Sequence, residues 1–563
     1  MAKLNLEIVN EIMSNAFYYN DAENESQCYV EYEMRPGVVY FEPLESPFFK
    51  AHVAHCYRQI TGQQVSVPIG PQLEILREDM MVEGACKIHV RRRLAGSISK
   101  NQIQYFLAND DRNVYWIDPE ERGILEDSSA STSDVRFLKN KLDKEQVMPV
   151  ENEHTLLTLL RPFVNLSDDD FRLFVIALVH FFSRDCSHFG MIFSSEKGSG
   201  KSTLSKVVRE LVEPSDVGIT LISNSESDLK NTLAGNYVVA FDNVGDISVG
   251  YSNILCGAIT GSRDSKRKLY TNCEQEILHL HNAIVINGIS IDILKSDLAQ
   301  RCLLFNLRPI SRKDRKPDTQ FWNDFNQRKP YIMDAIFRTL QEAMRIYPTL
   351  QTSENLHRMA DAQLEMEAIA LALGLTREDC RKLISQNELE MQKAYAASNP
   401  FIETILDYFL SQGKPFIEMR MQAMIDDIRE KRPAARSHVP AFPSPFSQKL
   451  NLDKSVLEMF GVRYIKKKDN AGAIVRLEKI PKKALTSEQK DMIQRREELR
   501  EELEKYDSIL SEYDIPEEEE TPETPVKKSG FKKLIPEKQQ KNNWYDEEDT
   551  ESAADTDSAS VDH

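Results

Sequence analysis

The sequence predicts a multidomain α/β protein with a parallel sheet at its centre. Across residues 188–309, short apolar strands alternate with helical segments, and this alternation is typical of parallel sheets. The first of these strands continues into a Gly-rich turn and then into a helix. Because 563 residues are too many for one hydrophobic core, about three or four domains are expected.

The composition is typical of a soluble globular protein with solvated segments, since 41% of the residues are hydrophobic and 28% are charged. A formal net charge of -18 argues against a protein that coats nucleic acid with its whole surface, but it allows local basic sites. The eight cysteines lack the spacing of a zinc site and are expected to be reduced thiols. The apolar runs are too short to cross a bilayer and no signal-peptide pattern follows Met1, so we expect a cytoplasmic protein without membrane contact.

Five segments differ in pattern along the chain. Residues 1–150 mix short helices with strand-like runs and are predicted to form an α+β domain of unknown role. Residues 151–312 hold the α/β core, and residues 313–398 are predicted to be helical from their spacing and charge. A smaller domain is predicted at residues 399–482. Residues 483–563 begin with a charged helix and continue as an acidic tail that is predicted to be disordered.

The strongest chemical signal lies in residues 190–203, where an apolar strand, a Gly-rich loop and a helix follow one another. A nucleoside triphosphate needs backbone N–H groups around its β-phosphate, a helix N-terminus, an ammonium group and a hydroxyl that binds Mg²⁺. This P-loop supplies all four, so ATP and Mg²⁺ are the predicted ligands. The predicted nucleotide-binding residues are Glu196, Lys197, Gly198, Ser199, Gly200, Lys201, Ser202 and Thr203. The usual motif begins with glycine where this chain has Ser195, so the loop is expected to begin with a slightly different turn.

A second apolar strand, at residues 237–241, ends in a carboxylate. Asp242 is therefore predicted to bind Mg²⁺ together with Ser202. Asn243 follows, at a position where many hydrolytic P-loop enzymes have a glutamate that polarises the attacking water. Asp246 could replace that glutamate, or Asn243 could hold the water by hydrogen bonding. The alternative is slow or absent hydrolysis, as in a nucleotide-controlled switch.

Two further residues complete the predicted catalytic set of Asp242, Asn243, Asn287 and Arg301. Asn287 ends the strand at residues 283–286 and is placed to sense the γ-phosphate, although it could simply terminate the strand. Arg301 precedes another strand and could reach the γ-phosphate of a neighbouring subunit as an arginine finger. An ordinary surface arginine is the alternative.

The order of these motifs resembles that of the ATPases of phages and integrated mobile elements, which are related to the superfamily 3 and primase-associated DNA helicases of the AAA+ class. The resemblance covers roughly residues 156–310, and the stretches 266–270 and 297–301 support it more than the P-loop alone. It implies a homo-oligomeric ring with nucleotide held between neighbours and DNA in the central channel. It also implies a bacterial cytoplasm or a phage-infected cell.

A compact basic run between two strands is a candidate for DNA contact. In the resembled helicases this region projects a loop toward the channel, where single-stranded DNA is the expected partner. The predicted DNA-contacting residues of this run are Arg263, Lys266, Arg267 and Lys268. A solvated charged loop is the alternative.

Residues 399–482 have the pattern of a winged helix. Helices are predicted at 401–410, 419–431 and 446–460, and two strands follow them. The predicted wing between those strands is basic and could lie along a DNA groove. Its predicted contacts are Lys466, Lys467 and Lys468. Since winged helices also serve as protein-docking modules, that alternative stays open.

The favoured function is an oligomeric, ATP-driven DNA helicase or translocase that acts in replication of a phage or mobile element. One alternative is a helicase loader, replication initiator or ATP-controlled switch without strand separation. Another is a binding module in which ATP only organises DNA or protein contacts. The acidic tail is expected either to bind a replication partner or to increase solubility.

Overall fold

The computed structural model describes residues 2–24, 27–65, 68–125, 134–195, 198–245, 247–267, 275–288, 296–311, 313, 315–350, 356–469 and 472–480. The chain divides into two compact units, Met1–Leu485 and Thr486–His563. The second unit, which holds most of the predicted charged helix and all of the acidic tail, lies outside the described residues. None of the described helices combines the length and the apolar character that a membrane span requires.

The first part of the chain contains nine described strands and three described α-helices. The helices are α1 (Ala2–Ser14), α2 (Pro47–Thr61) and α3 (Ile69–Asp79). The strands are β1 (Phe17–Asp21), β2 (Cys28–Arg35), β3 (Val38–Pro43), β4 (Cys86–Arg91), β5 (Leu94–Ser97), β6 (Gln102–Phe106), β7 (Val114–Ile117), β8 (Arg122–Ile124) and β9 (Val135–Phe137). They form a mixed sheet in the order β3-β2-β1-β4-β9 and an antiparallel sheet in the order β5-β6-β7-β8.

The antiparallel sheet packs onto the centre of the molecule. Its inward side chains belong to the same hydrophobic core as the helix and strands that precede the P-loop. Tyr105 on β6 donates a hydrogen bond to the carbonyl of Val212 at 3.1 Å, and its ring lies 5.7 Å from that of Phe182. Arg93, which is fully buried, donates to the carbonyls of Lys144 and Pro214. Residues 94–124 therefore pack as an extension of the central core, while the limits of the predicted domains stay a prediction.

The central region is a parallel sheet with helices on it. Its strands are β10 (Gly190–Ser194), β11 (Val238–Val244), β12 (Ser262–Arg267), β13 (Gln275–Leu280), β14 (Ala283–Gly288) and β15 (Cys302–Asn306). Its helices are α4 (Leu156–Leu160), α5 (Asp168–His180), α6 (Lys201–Val212), α7 (Glu226–Gly235), α8 (Val249–Thr260) and α9 (Ser296–Ala299). Four strands pair in parallel in the order β11-β14-β10-β15, and β12 pairs with β13 as an antiparallel hairpin.

The four parallel strands are almost completely buried, as expected for a sheet that is covered on both faces. Their apolar runs end in polar residues at one edge of the sheet. In the pairing register, Phe193 on β10 lies beside Asn287 on β14, and Ile286 lies beside Phe241 on β11. The carboxyl ends of three strands therefore meet where the P-loop begins.

The remaining described elements are helical, followed by a small α/β domain. They are α10 (Asp318–Ile346), α11 (Ala360–Ala372), α12 (Arg377–Ser398), α13 (Pro400–Ser411), β16 (Phe416–Arg420), α14 (Met421–Lys431), α15 (Pro443–Leu452), α16 (Lys454–Met459), β17 (Val462–Asp469) and β18 (Gly472–Lys479). Asn387 on α12 hydrogen-bonds both backbone groups of Leu304, so α12 occupies the outer edge of β15. The small domain has a separate hydrophobic core and an antiparallel sheet in the order β16-β18-β17.

Two predicted helices of the small domain differ from the structure. The helix predicted at 419–431 begins at Met421, because Met419 and Arg420 pair with β18 as part of β16. The single helix predicted at 446–460 is divided at Asp453, whose carboxylate accepts a hydrogen bond from the Tyr395 hydroxyl at 2.9 Å. Strand pairing explains the first difference, which local helix periodicity does not reveal, and the second coincides with a contact from another helix.

Candidate nucleotide-binding site

The predicted P-loop joins β10 to α6 through a turn that needs glycine. Gly198 and Gly200 have φ angles of 84° and 90°, which residues with side chains rarely adopt. Gly200 caps α6, and its carbonyl accepts the first helical hydrogen bond from Leu204 at 2.9 Å. The first N–H groups of a helix lack partners within it, so this end of α6 is suited to an anion. Glu196 and Lys197 lie outside the described residues.

The ammonium of Lys201 lies against the first residue of the loop. Its Nζ donates to the carbonyl of Ser195 at 2.6 Å and to its hydroxyl at 3.2 Å. The Ser195 hydroxyl also hydrogen-bonds that of Ser199, so the serine at the usual glycine position ties the two ends of the loop together. Burial lowers the pKa of Lys201, and the Asp242 carboxylate opposes this shift.

Three predicted site residues from three different elements converge beside the loop. The Ser202 hydroxyl donates to the Asp242 carboxylate, at 3.1 Å from Oδ1 and 3.3 Å from Oδ2. Nδ2 of Asn287, which is buried, lies 3.1 Å from the Ser202 hydroxyl and 2.5 Å from Oδ1 of Asp242. A hydroxyl and a carboxylate are hard oxygen donors of the kind that Mg²⁺ prefers, so this pair fits the predicted metal.

Asn243 lies in a β-bulge next to this cluster. The pairing register of β11 shifts between Phe241 and Val244, and Asn243 has a φ angle of 50°. Asparagine tolerates this left-handed conformation better than most residues. The bulge leaves the Asn243 side chain exposed while Asp242 is half-buried. Asp246, the alternative position for a catalytic carboxylate, lies outside the described residues.

Arg301 lies at the amino ends of the strands, whereas the predicted P-loop of its own chain lies at their carboxyl ends. It precedes β15, and its carbonyl accepts a hydrogen bond from Gly190 N–H, at the start of β10, at 2.9 Å. Its guanidinium is bonded to the carbonyl and carboxylate of Asp297. Although burial opposes it, hydrogen bonds from Arg358 and Arg301 lower the pKa of Asp297. Any contact of Arg301 with a γ-phosphate would therefore be with that of another subunit.

The two predicted DNA-contacting regions are described to different extents. The backbone places Arg263, Lys266 and Arg267 on β12 of the hairpin, whereas their side chains and all of Lys268 lie outside the described part. The base of this hairpin contacts the N-terminal part of the chain, because Nε2 of His279 lies 2.8 Å from the carbonyl of Glu23.

The predicted wing of the small domain is the hairpin of β17 and β18. Lys466 donates to the Ser447 hydroxyl at 2.8 Å, and Lys467 donates to the Glu418 carboxylate at 3.2 Å. Arg476 on β18 binds the same carboxylate at 3.2 Å. Lys468 is exposed near the end of the hairpin. Part of the wing's positive charge is thus already paired within the domain.

The segment that follows β15 runs along the P-loop and was not identified from the sequence. The N–H of Leu307 donates to the carbonyl of the last residue of β10 at 3.0 Å. Nδ2 of Asn165 donates to the Arg308 carbonyl at 2.5 Å and to the Ser199 carbonyl at 3.5 Å. The available signal was the basic stretch 308–316, directly after an apolar strand.

A second polar cluster is buried where the end of α5, the segment before β10 and α11 meet. The ligand-type atoms of His180, Cys186 and Glu365 lie within 4.8 Å of one another. The Glu365 carboxylate accepts hydrogen bonds from Ser99 N–H at 3.0 Å and from the Ser183 hydroxyl at 2.5 Å, and it lies 3.3 Å from Nε2 of His180. Burial raises the pKa of the Cys186 thiol. These contacts satisfy the carboxylate without a metal, so we interpret the cluster as part of the core.

A match to one protein family favours a role in replication. Residues 158–382, less than half of the chain, match the family described as actinomycete integrative conjugative element replication protein. This match supports a replication-related role in a mobile element and leaves the ATPase class open.

The apo structure of the NrS-1 C-terminal region has a TM-score of 0.35 and 12% identity over 85% of this chain and 99% of its own. A second apo structure, the A form of the same region, has a TM-score of 0.36 and 11% identity over 85% and 99%. These TM-scores are too low to support an argument, and no curated protein matches the sequence.

Proposed function

We propose that the chain is an ATP-dependent DNA helicase or translocase that acts in replication of a mobile element. Its core would be an AAA+-like P-loop ATPase, and its small domain a winged helix. The observation that carries this proposal is the convergence of Ser202, Asp242 and Asn287 within about one hydrogen-bond length of each other at the start of α6. Three separate strand or helix ends supply these groups.

The geometry supports a division of tasks among the residues. The loop N–H groups and the N-terminus of α6 would hold the β-phosphate, and Lys201 would exchange its Ser195 carbonyl for a charge-assisted contact with the terminal phosphates. Ser202 and Asp242 would hold Mg²⁺, which supplies neutralisation of the phosphate charge. The buried amide of Asn287 would fix the orientation of both oxygen ligands.

The position of Arg301 supports an oligomer rather than an isolated subunit. Its guanidinium lies at the amino ends of the strands, and the P-loop lies at their carboxyl ends. An arginine finger would therefore act across an interface between two copies of this chain, as in a ring. To do so it must leave Asp297, whose other partner, Arg358, would continue to neutralise that carboxylate.

A helicase loader, replication initiator or ATP-controlled switch is the second candidate, and Asn243 is the observation that favours it. An exposed amide can orient a water molecule but cannot accept its proton. If no other base replaces it, hydrolysis would be slow and strand separation absent. DNA would be bound in either case, by the β12–β13 hairpin and by the wing.

Unwinding of a forked DNA duplex distinguishes the two candidates. We expect the purified full chain to release the labelled strand when ATP and Mg²⁺ are present and to fail when Lys201 is replaced by alanine. Hydrolysis of ATP without strand release, on forks with either a 3′ or a 5′ tail, would reject the helicase and favour the loader or initiator.

A further inference from the structure

The segment between β15 and α10 contacts both glycines of the P-loop. A Cβ atom built on Gly200 would lie 3.4 Å from Cδ1 of Ile310, and one built on Gly198 would lie 3.2 Å from Nη2 of Arg315. The start of this segment is fixed by its hydrogen bonds to β10 and Asn165. The guanidinium of Arg315 thus lies beside Gly198, in the middle of the loop.

Within the described part of the chain, Arg315 has no competing partner at this position. Its side chain is exposed, and among the described residues no carboxylate or carbonyl is hydrogen-bonded to it. Two arginines at the opposite end of the strands behave differently, since Arg301 and Arg358 are both bound to Asp297. A guanidinium without a partner that lies against a phosphate-binding loop is available for an anion, and its planar fork matches a phosphate well.

We propose that Arg315 is a nucleotide-binding residue that contacts the terminal phosphate of ATP bound to its own subunit. This inference rests on the proposed nucleotide site. The loop N–H groups would surround the β-phosphate of a bound nucleotide, and the Arg315 guanidinium beside Gly198 would then be placed for the terminal phosphate. Lys201 and Arg315 would then hold the γ-phosphate from two sides, one from within the loop and one from the segment after β15.

The contact gives the site a means of distinguishing ATP from ADP. Because ADP lacks the terminal phosphate, the guanidinium would contribute to ATP affinity and much less to ADP affinity. A charge-assisted hydrogen bond of this type corresponds to about a tenfold to hundredfold change in affinity. Without this hydrogen bond, the two affinities should therefore lie closer together.

The test is calorimetric titration of the full chain with ATP and with ADP, each in the presence of Mg²⁺. The variants are Arg315→Ala, Arg315→Lys and Lys313→Ala; Lys313 is an exposed cation two residues earlier on the same segment. We expect Arg315→Ala to weaken ATP binding about tenfold or more, with a smaller effect on ADP. The ATP affinity of Arg315→Lys should lie between those of Arg315→Ala and the unaltered chain. Lys313→Ala should change neither the ATP nor the ADP affinity by more than about twofold.

Two results would overturn the inference. One is an ATP affinity for Arg315→Ala within about twofold of the unaltered chain. The other is an equal loss of ATP and ADP affinity, which would indicate that Arg315 only supports the shape of the loop. If Lys201→Ala binds ATP as tightly as the unaltered chain, the nucleotide site itself is wrong and both proposals fall. Because Arg315 is exposed, its variants should melt at the same temperature as the unaltered chain.

Discussion

Nδ2 of Asn287 donates a hydrogen bond to Oδ1 of Asp242 at 2.5 Å, and this bond joins the carboxyl ends of β14 and β11. The donor is buried and the acceptor is half-buried, so water competes little for either group. The bond orients the carboxylate toward the Ser202 hydroxyl at the start of α6. It thereby links the strand that is predicted to sense the nucleotide to the residues that would hold Mg²⁺.

We expect Asn287→Ala to lower ATP hydrolysis by about tenfold to a hundredfold and to change ATP affinity by less than about threefold. The reason is that an oriented ligand matters most when charge develops in the transition state. Steady-state hydrolysis and equilibrium binding measure the two effects separately. Asn306→Ala is the matched control, because Asn306 is an exposed asparagine at the carboxyl end of β15, another strand of the same sheet. Equal losses of binding and hydrolysis would contradict this role.

Arg301→Ala should remove hydrolysis and retain ATP binding, because the guanidinium would act only on a neighbour's nucleotide. Mixing this variant with Lys201→Ala gives a sharper result. In mixed oligomers, a subunit with an intact Lys201 meets a neighbour with an intact Arg301, so part of the activity should return. Arg358→Ala, which removes the other partner of Asp297, should keep most of the activity. Failure of the mixture to recover any hydrolysis would reject a role across the interface.

The buried Glu365 carboxylate should make stability depend on pH. Burial opposes ionisation, but hydrogen bonding and charge from His180 and hydrogen bonds from Ser183 and Ser99 lower the pKa of Glu365. The pKa of Glu365 is therefore lower in the folded chain than in the unfolded chain, where it is about 4.3. The ionised carboxylate stabilises the fold at pH values above about 4.3, and this stabilisation is lost as the pH falls through the folded-state pKa. We expect the melting temperature of Glu365→Gln to depend less on pH below about 5 than that of the unaltered chain.

At neutral pH, removal of one partner from such a buried network should cost about 3–5 kcal/mol, measured by denaturant unfolding of Glu365→Ala. Glu342→Ala is the control, since Glu342 is exposed and its ion pair with Arg345 lies at the surface. A cost of Glu365→Ala no larger than that of the control would contradict the account of this cluster.

Glu418 restrains the positive charge of the wing, because it binds both Lys467 and Arg476. Glu418→Gln should therefore strengthen binding of single-stranded DNA and increase its salt dependence, by a slope of about 0.7 for each additional phosphate that the wing binds. Fluorescence anisotropy at several salt concentrations measures both quantities. Glu458→Gln is the control, because the Glu458 carboxylate lies 4.0 Å from the ammonium of Lys454 on its own helix, α16. Unchanged affinity and slope in Glu418→Gln would favour the protein-docking alternative for this domain.

Much of the candidate site was open to prediction from the sequence, because its residues end apolar strands that pair in parallel. That single rule brings Asp242 and Asn287 to the same edge as the loop before Lys201, and the structure places them there. Arg315 could not be found in this way, because its position depends on the path of an irregular segment. The start of α14 at Met421 was likewise missed, because it depends on the pairing of Met419 and Arg420 with the distant strand β18.

The most direct test of the central claim is ATP hydrolysis by the purified full chain, with and without single-stranded DNA, with the Lys201→Ala variant as background. The account predicts hydrolysis above that background and a further increase when DNA is added. ATP binding without hydrolysis, in the presence or absence of DNA, would contradict the motor. It would show that Asn243 marks a nucleotide-controlled switch.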